Sequence, residues 1–262
     1  MQVDLAYTRF DASQRVRLWI LLGLSIVAIV GVLLHAPLAQ PLDYHAFVDQ
    51  RTIWGIPNFW NVVSNVPFLI FGLLGTAAIA RRKSLPLKWI YLTFFGGTCL
   101  VAFGSGYYHL APSNDTLVWD RLTMAIVFMA FFAIIVAEYV SARVGRLSFL
   151  PLEVLGVGSV VYWHFTEVAG HGDLRPYIIT QFLPIILIPL ILVFFPARLW
   201  PARYLWAVLG IYVLAKLLEL FDAQVFAIFG HAISGHSLKH VAAAFGTWFF
   251  LLAVKRRYAA VR

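Results

Sequence analysis

Apolar residues run along this chain in long blocks, without the strict alternation of a half-buried strand or the narrow stripe of a soluble surface helix. Short polar or basic clusters separate the blocks. A helix needs about 20 apolar residues to cross a hydrocarbon core of about 30 Å. The pattern predicts eight helices of that kind, over roughly 18–36, 58–80, 88–110, 117–140, 148–166, 177–196, 203–221 and 232–254. No repeat, low-complexity tract or interdomain linker interrupts them, so the expected fold is an all-α integral membrane protein with a single embedded domain. The longest stretch between predicted spans, 37–57, is Pro-rich at first and then polar, which makes it a candidate lid or site wall.

Composition removes the soluble alternative. Of 262 residues, 61% are hydrophobic and 12% charged, whereas an average soluble domain carries about a quarter charged residues. The net charge of +8 could suit nucleic acid, but the basic residues cluster between apolar runs, and topology explains them better. Alternating sides along eight spans places Arg9, Arg15, Arg17, Arg81, Arg82, Lys83, Lys88, Arg143, Arg146, Arg198, Arg203, Lys255, Arg256, Arg257 and Arg262 together, 15 of the 20 basic residues. Arg51, Arg121, Arg175, Lys216 and Lys239 fall opposite. The positive-inside rule then puts both termini in the cytoplasm. A secretory signal is the alternative for the first span, since Arg15 and Arg17 precede an apolar run ending near Ala36 and Ala39. The long polar region before it and the length of the run, beyond the usual h-region of about 7–15 residues, favour a retained helix. The only cysteine, Cys99, permits neither an internal disulfide nor a cysteine metal site.

With sides assigned, all eight histidines (His35, His45, His109, His164, His171, His231, His236 and His240) lie at or near the non-cytoplasmic ends. Among the 12 acidic residues only Asp4, Asp11, Glu138 and Glu153 fall on the cytoplasmic side. The sharpest motif is His236-Ser237-Leu238-Lys239-His240, where a four-residue spacing puts two imidazoles on one helix face. Two interfacial histidines bonded to neighbours are the competing reading. Gly104-Ser105-Gly106-Tyr107-Tyr108-His109 repeats the spacing between Ser105 and His109, although small residues also serve plain helix packing. Asp120 follows about one turn into the fourth helix, with Arg121 beside it as a possible ion-pair partner.

Three imidazoles with one open position make a catalytic zinc arrangement. A carboxylate to move protons and a hydroxyl to donate to an oxyanion complete a hydrolase. Asn58, Asn61 and Asn65 form a polar stripe that opens the second helix. It suits interhelical hydrogen bonds, support of the metal site, or calcium ligation together with Asp49. Lys216, Glu219 and Asp222, at i, i+3 and i+6, read as an internal ion pair, with headgroup binding as the alternative. Gly172 to Tyr177 reads as a turn and a helix start.

Four separated motifs, F-W-N-V-V-S-N at 59–65, G-S-G-Y-Y-H at 104–109, Asp120 and H-S-L-K-H at 236–240, occur in an order that resembles the alkaline ceramidases, membrane amidases within a wider group of seven-helix hydrolases. The similarity runs from about Asp43 to the last helix. It implies that His109, His236 and His240 hold zinc, that Asp120 handles protons and that Ser105 lies at the reacting carbonyl. It also implies a seven-helix core domain at 58–262, with residues 1–57 contributing a cytoplasmic amino terminus, an additional helix as in bacterial members, and a non-cytoplasmic loop. The bacterial cytoplasmic membrane is the expected location. Eukaryotic members carry a calcium site that includes a glutamate just before the F-W-N run. Here that position is Asn58, and Asp49 and Asp43 are the remaining acidic residues, a poorer set that would bind calcium more weakly.

The expected function is zinc-dependent cleavage of the N-acyl bond of ceramide or a related lipid that arrives laterally from the bilayer, with no nucleic-acid partner. A metal-dependent lipid esterase or acyltransferase, a receptor-like or haem protein, and a transporter are the other readings. Polar groups gathered at one end of the helices, without internal repeats, argue against the transporter.

Overall fold

A computed structural model describes residues 10–83, 85–195 and 202–259. Asp4, Arg9, Arg198 and Arg262, used above for orientation, and the last residue of the predicted 177–196 helix lie outside the described residues. The chain is all-α: α1 Ala12–Leu34, α2 Phe59–Val63, α3 Val66–Ala80, α4 Lys88–Leu110, α5 Asn114–Ile135, α6 Ala142–Val168, α7 Arg175–Phe194, α8 Arg203–Leu220, α9 Asp222–Ile228 and α10 Gly235–Ala259. Seven helical segments among the described residues are long and apolar enough to cross a membrane, with Phe59–Ala80 taken as one. The α8–α9 pair, bent by 83°, makes an eighth if it crosses as a unit. The protein is therefore an integral multi-pass membrane protein, as its apolar blocks predict.

Local chemistry sets the helix ends. Asp11 and Gln14 form a capping box, with Gln14 N–H donating to Asp11 Oδ1 at 2.7 Å and Asp11 N–H to Gln14 Oε1 at 3.1 Å. This starts α1 six residues before the predicted position, because two donors that would otherwise fray the first turn are satisfied. Ser141 accepts from Val144 N–H and starts α6 at Ala142, six residues ahead of the predicted 148. Between α2 and α3, Pro67 supplies no backbone N–H, and the chain makes a turn at Ser64 and Asn65. The segment Val136–Val140, which continues α5, is a π-helical turn.

The described residues form two compact units. The first draws on 10–40, 83–94 and 125–195. Within it, α1 buries only Leu21, so its apolar faces are left for lipid. It is held at its carboxyl end by α7: Arg175 Nη1 donates to Leu33 O at 2.9 Å and to His35 O at 2.6 Å. The Asp173 carboxylate in turn grips Arg175, with Oδ1 at 2.8 Å from Nε and Oδ2 at 2.7 Å from Nη2. Glu167 closes the same end by accepting from Gln40 N–H at 3.2 Å and from Trp163 Nε1–H at 2.9 Å.

The second unit draws on 41–82, 95–124 and 202–259. Here α10 packs along α8 and α3. Two glycines make close approaches that position the chemistry. A Cβ on Gly235 would lie 2.2 Å from Leu218 O, so the start of α10 sits against the backbone at the end of α8. A Cβ on Gly104 would lie 2.5 Å from Trp119 O, so α4 and α5 touch one residue before each contributes a polar side chain, Ser105 and Asp120. Leu117, Ala244, Phe250 and Leu251 are fully buried in this unit.

Candidate metal centre

The start of α10 is fixed by two caps. Ser234 Oγ accepts from Ser237 N–H at 3.2 Å, and Asp222 Oδ1 accepts from His236 N–H at 2.7 Å. These satisfy amides that open a helix, where no intrahelical partner exists. With α10 so placed, His236 and His240 project one turn apart toward His109 on α4. The three rings lie 5.0, 4.9 and 4.9 Å apart, centroid to centroid, and all are buried. One ligand nitrogen from each lies within 4.8 Å of the others, and Nε2 of His109 and Nε2 of His236 are 3.4 Å apart.

That spacing suits a metal. Zinc–nitrogen bonds of about 2.0–2.1 Å in a tetrahedron put neighbouring ligand atoms about 3.3–3.4 Å apart. The His240 ring is oriented from behind, since its Nδ1 lies 2.8 Å from the Ser64 hydroxyl, which itself lies 3.2 Å from Asn61 O. A proton on Nδ1 leaves the Nε2 lone pair for an ion. Ser64 belongs to the F-W-N-V-V-S-N run, three residues after Asn61, and that spacing was the signal available for it. Phe47, from the loop before α2, packs its ring 4.6 Å from His109 and 4.7 Å from His236. The 37–57 stretch thus supplies a wall of the centre.

Ser105 lies one turn before His109 on α4, and both are buried. Its hydroxyl donates to the Asp120 carboxylate, so the serine and the carboxylate meet beside the Gly104 contact, one helical turn from His109. Arg121 lies with its guanidinium carbon 5.8 Å from the Tyr44 ring centroid. His45 bridges the loop to both helices: Asn114 Oδ1 accepts from Nε2 at 2.9 Å, and Tyr108 donates to Nδ1 at 2.9 Å. The other four histidines, His35, His164, His171 and His231, are not part of the cluster.

The asparagine stripe acts as scaffold. Asn58, at φ +47 in a left-handed conformation that asparagine tolerates, donates to His109 O at 2.9 Å. Asn61 donates to Asp49 O at 3.1 Å and accepts from Ser237 at 2.8 Å, which ties the loop to α10. Asn65 donates to Asn61 O at 2.8 Å.

These residues do not fit calcium, which takes six to eight oxygen ligands. Both Asp49 oxygens are occupied by Arg51, with Oδ1 2.8 Å from Nε and Oδ2 2.6 Å from Nη2, and Arg51 also reaches Ala232 O at 2.8 Å. Asp43 is exposed in the short turn Leu42–His45.

The ion pair expected on α8 forms between Lys216 and Glu219, but Asp222 is not part of it. The 83° bend after Leu220 carries Asp222 off that face to its place under His236. Lys239 Nζ instead reaches Glu219 Oε1 at 2.8 Å and lies 3.1 Å from His236 Nε2.

The family model described as Ceramidase matches residues 52–195, more than half of the chain. No curated protein matches the chain in sequence.

Proposed function

Since the chain belongs to the ceramidase family, and is thereby a membrane hydrolase of ceramide-type amide bonds, we propose that it is an intramembrane zinc amidase with His109, His236 and His240 as its metal ligands. The observation that carries this reading is the convergence of three buried imidazoles to within 4.8 Å, one helical turn from a serine bonded to a buried aspartate. Zinc bound there would polarise the amide carbonyl and lower the pKa of a water molecule to about 7. The residues do the rest. Asp120 takes a proton from the attacking water and returns it to the amide nitrogen as the C–N bond breaks. Ser105 donates its one proton to that carboxylate at rest; once Asp120 has taken the proton from water it can donate to the serine oxygen instead, and the hydroxyl turns to the carbonyl oxygen as negative charge gathers there. Asn58, Asn61 and Ser64 hold the backbone and rings in place. The products are a fatty acid and an amine.

The charge distribution supports both termini in the cytoplasm and the centre toward the opposite face, which requires the bent α8–α9 pair to cross as one; the additional first helix, as in bacterial members of the family, is what favours a bacterial cytoplasmic membrane. On this reading residues 1–57 are an addition to a seven-helix domain at 58–262.

Metal analysis of purified wild type beside His236→Ala, combined with fatty-acid release from a panel of amide and ester lipids, tests the mechanism. Zinc bound by wild type and lost with activity in the variant is the expected result. Zinc retained in the variant, or equal hydrolysis without it, would overturn the reading, and preferred cleavage of esters would reassign the bond.

A further inference from the structure

We propose that the Trp54–Gly55 turn and α9 form a lip that inserts into the headgroup region of the lipid bilayer and holds one wall of the metal centre at that depth. The turn is tight: Ile53 N–H donates to Ile56 O at 3.2 Å, and Ile56 N–H donates to Ile53 O at 3.0 Å. Both central residues have positive φ, +53 at Trp54 and +78 at Gly55. Asparagine, aspartate or glycine ordinarily takes the first of these positions, since a larger side chain is crowded there. Here a tryptophan bears that strain while 87% exposed at the tip of the turn. The indole meets Phe59 edge-on, 5.4 Å between centroids, and the rest of its surface is open. Backbone strain spent on presenting an exposed indole points to a partner outside the fold.

Two observations identify that partner as lipid. Phe59 is the first residue of the Phe59–Ala80 span, so the indole that leans on it lies where this helix enters the membrane, the level tryptophan favours. The base of the turn is joined to α9: the Arg51 guanidinium carbon lies 5.4 Å from the Phe226 ring centroid, and Arg51 also bonds Ala232 O. In the crossing made by α8 and α9, the 18 residues of α8 supply about 27 Å. The shorter helix, turned by 83°, then runs along the membrane plane, with Ile228 80% and Phe229 53% exposed at its end. Arg51 is neutralised by Asp49, so the lip inserts by apolar burial rather than by attraction to anionic headgroups. Phe47, which packs on His109 and His236, belongs to the same loop, and Asp49 is tied to α2 through Asn61. An anchored turn thereby fixes this wall relative to the bilayer.

The test uses the full-length protein in vesicles of neutral phosphatidylcholine and needs no turnover, so its outcome is independent of the amidase reading. The fluorescence lost on Trp54→Phe reports the indole, while the phenyl ring keeps an apolar anchor. That difference signal should be quenched by phosphatidylcholine brominated near the headgroup end of its acyl chains and spared by aqueous iodide. A second measurement leaves Trp54 in place. Cys99 is the only native cysteine, so Ile228→Cys in a Cys99→Ala background accepts a single nitroxide, which should collide with oxygen in preference to a water-soluble nickel chelate. Quenching by iodide, or a label that meets the nickel chelate first, would place the lip in water and overturn the proposal. An indole reached by neither bromolipid nor iodide would be covered by protein, which would overturn it equally.

Discussion

Removing one hydroxyl, in Ser64→Ala, separates the orientation of a ligand from its presence. The His240 ring can bind an ion through Nε2 only if its proton sits on Nδ1, and Ser64 Oγ lies 2.8 Å away to accept it. Both residues are buried, so no water replaces the lost acceptor. The ring then keeps only its hydrogen bond to the Asn61 carbonyl, and it is held less firmly in the tautomer that frees Nε2. Groups that orient a ligand in this way typically contribute about 10–100-fold to metal affinity, or about 1.4–2.7 kcal/mol. Competition of zinc between the purified protein and a chelator of known affinity should show that loss in Ser64→Ala. Zinc content at saturation should stay at the wild-type level, and Ser64→Thr should recover most of the affinity. His236→Ala, which lacks a ligand altogether, marks the lower limit. An affinity for Ser64→Ala within twofold of wild type would refute the orienting role.

Asp120→Asn should retain zinc yet lower kcat by about 10²–10⁴-fold, read in single-turnover hydrolysis beside metal analysis; full activity would remove it as the proton carrier. Gly104→Ala forces a methyl group to 2.5 Å from Trp119 O. It should destabilise the protein by about 1–3 kcal/mol and reduce turnover by moving Ser105 away from Asp120, as measured by denaturation midpoint and kcat. Hydrolysis should be insensitive to a calcium-selective chelator at constant free zinc, because Arg51 occupies Asp49; a requirement for added calcium would contradict that assignment. In the loop before α7, the Arg175 guanidinium holds the Asp173 carboxyl below its ordinary value. A depressed carboxylate contributes stability that is full above its unfolded value of about 3.9 and lost as pH falls through the lower folded value. Wild type should therefore lose stability on acidification below about pH 4, and Asp173→Asn, less stable at neutral pH, should lose less over that range.

The spans were readable because the length of an apolar run is a direct physical requirement of the bilayer. Their ends were less so: α1 and α6 each begin six residues early, since capping by Asp11 and Ser141 extends a helix through polar sequence that hydropathy assigns to a loop. The short α9 was missed because Asp222–Ile228 looks like a continuation of the apolar α8, and nothing local announces an 83° turn. That same turn broke the expected Lys216–Glu219–Asp222 face. The histidine spacing on α10 was legible as one helix face. The arrival of His109 beside it depends on contacts between segments more than 100 residues apart, which no local pattern encodes. Ser64 and Lys239 were overlooked for a shared reason: each has an ordinary explanation, helix packing for one and topology for the other, until the partner ring is seen.

The Asp49–Arg51 pair also has a bearing on where such a protein can work. A counter-charge two residues along the same chain cannot diffuse away, so its local concentration does not depend on the surroundings. The wall that carries Phe47 is consequently braced by a cation the gene itself encodes, and its shape should persist in media stripped of divalent minerals.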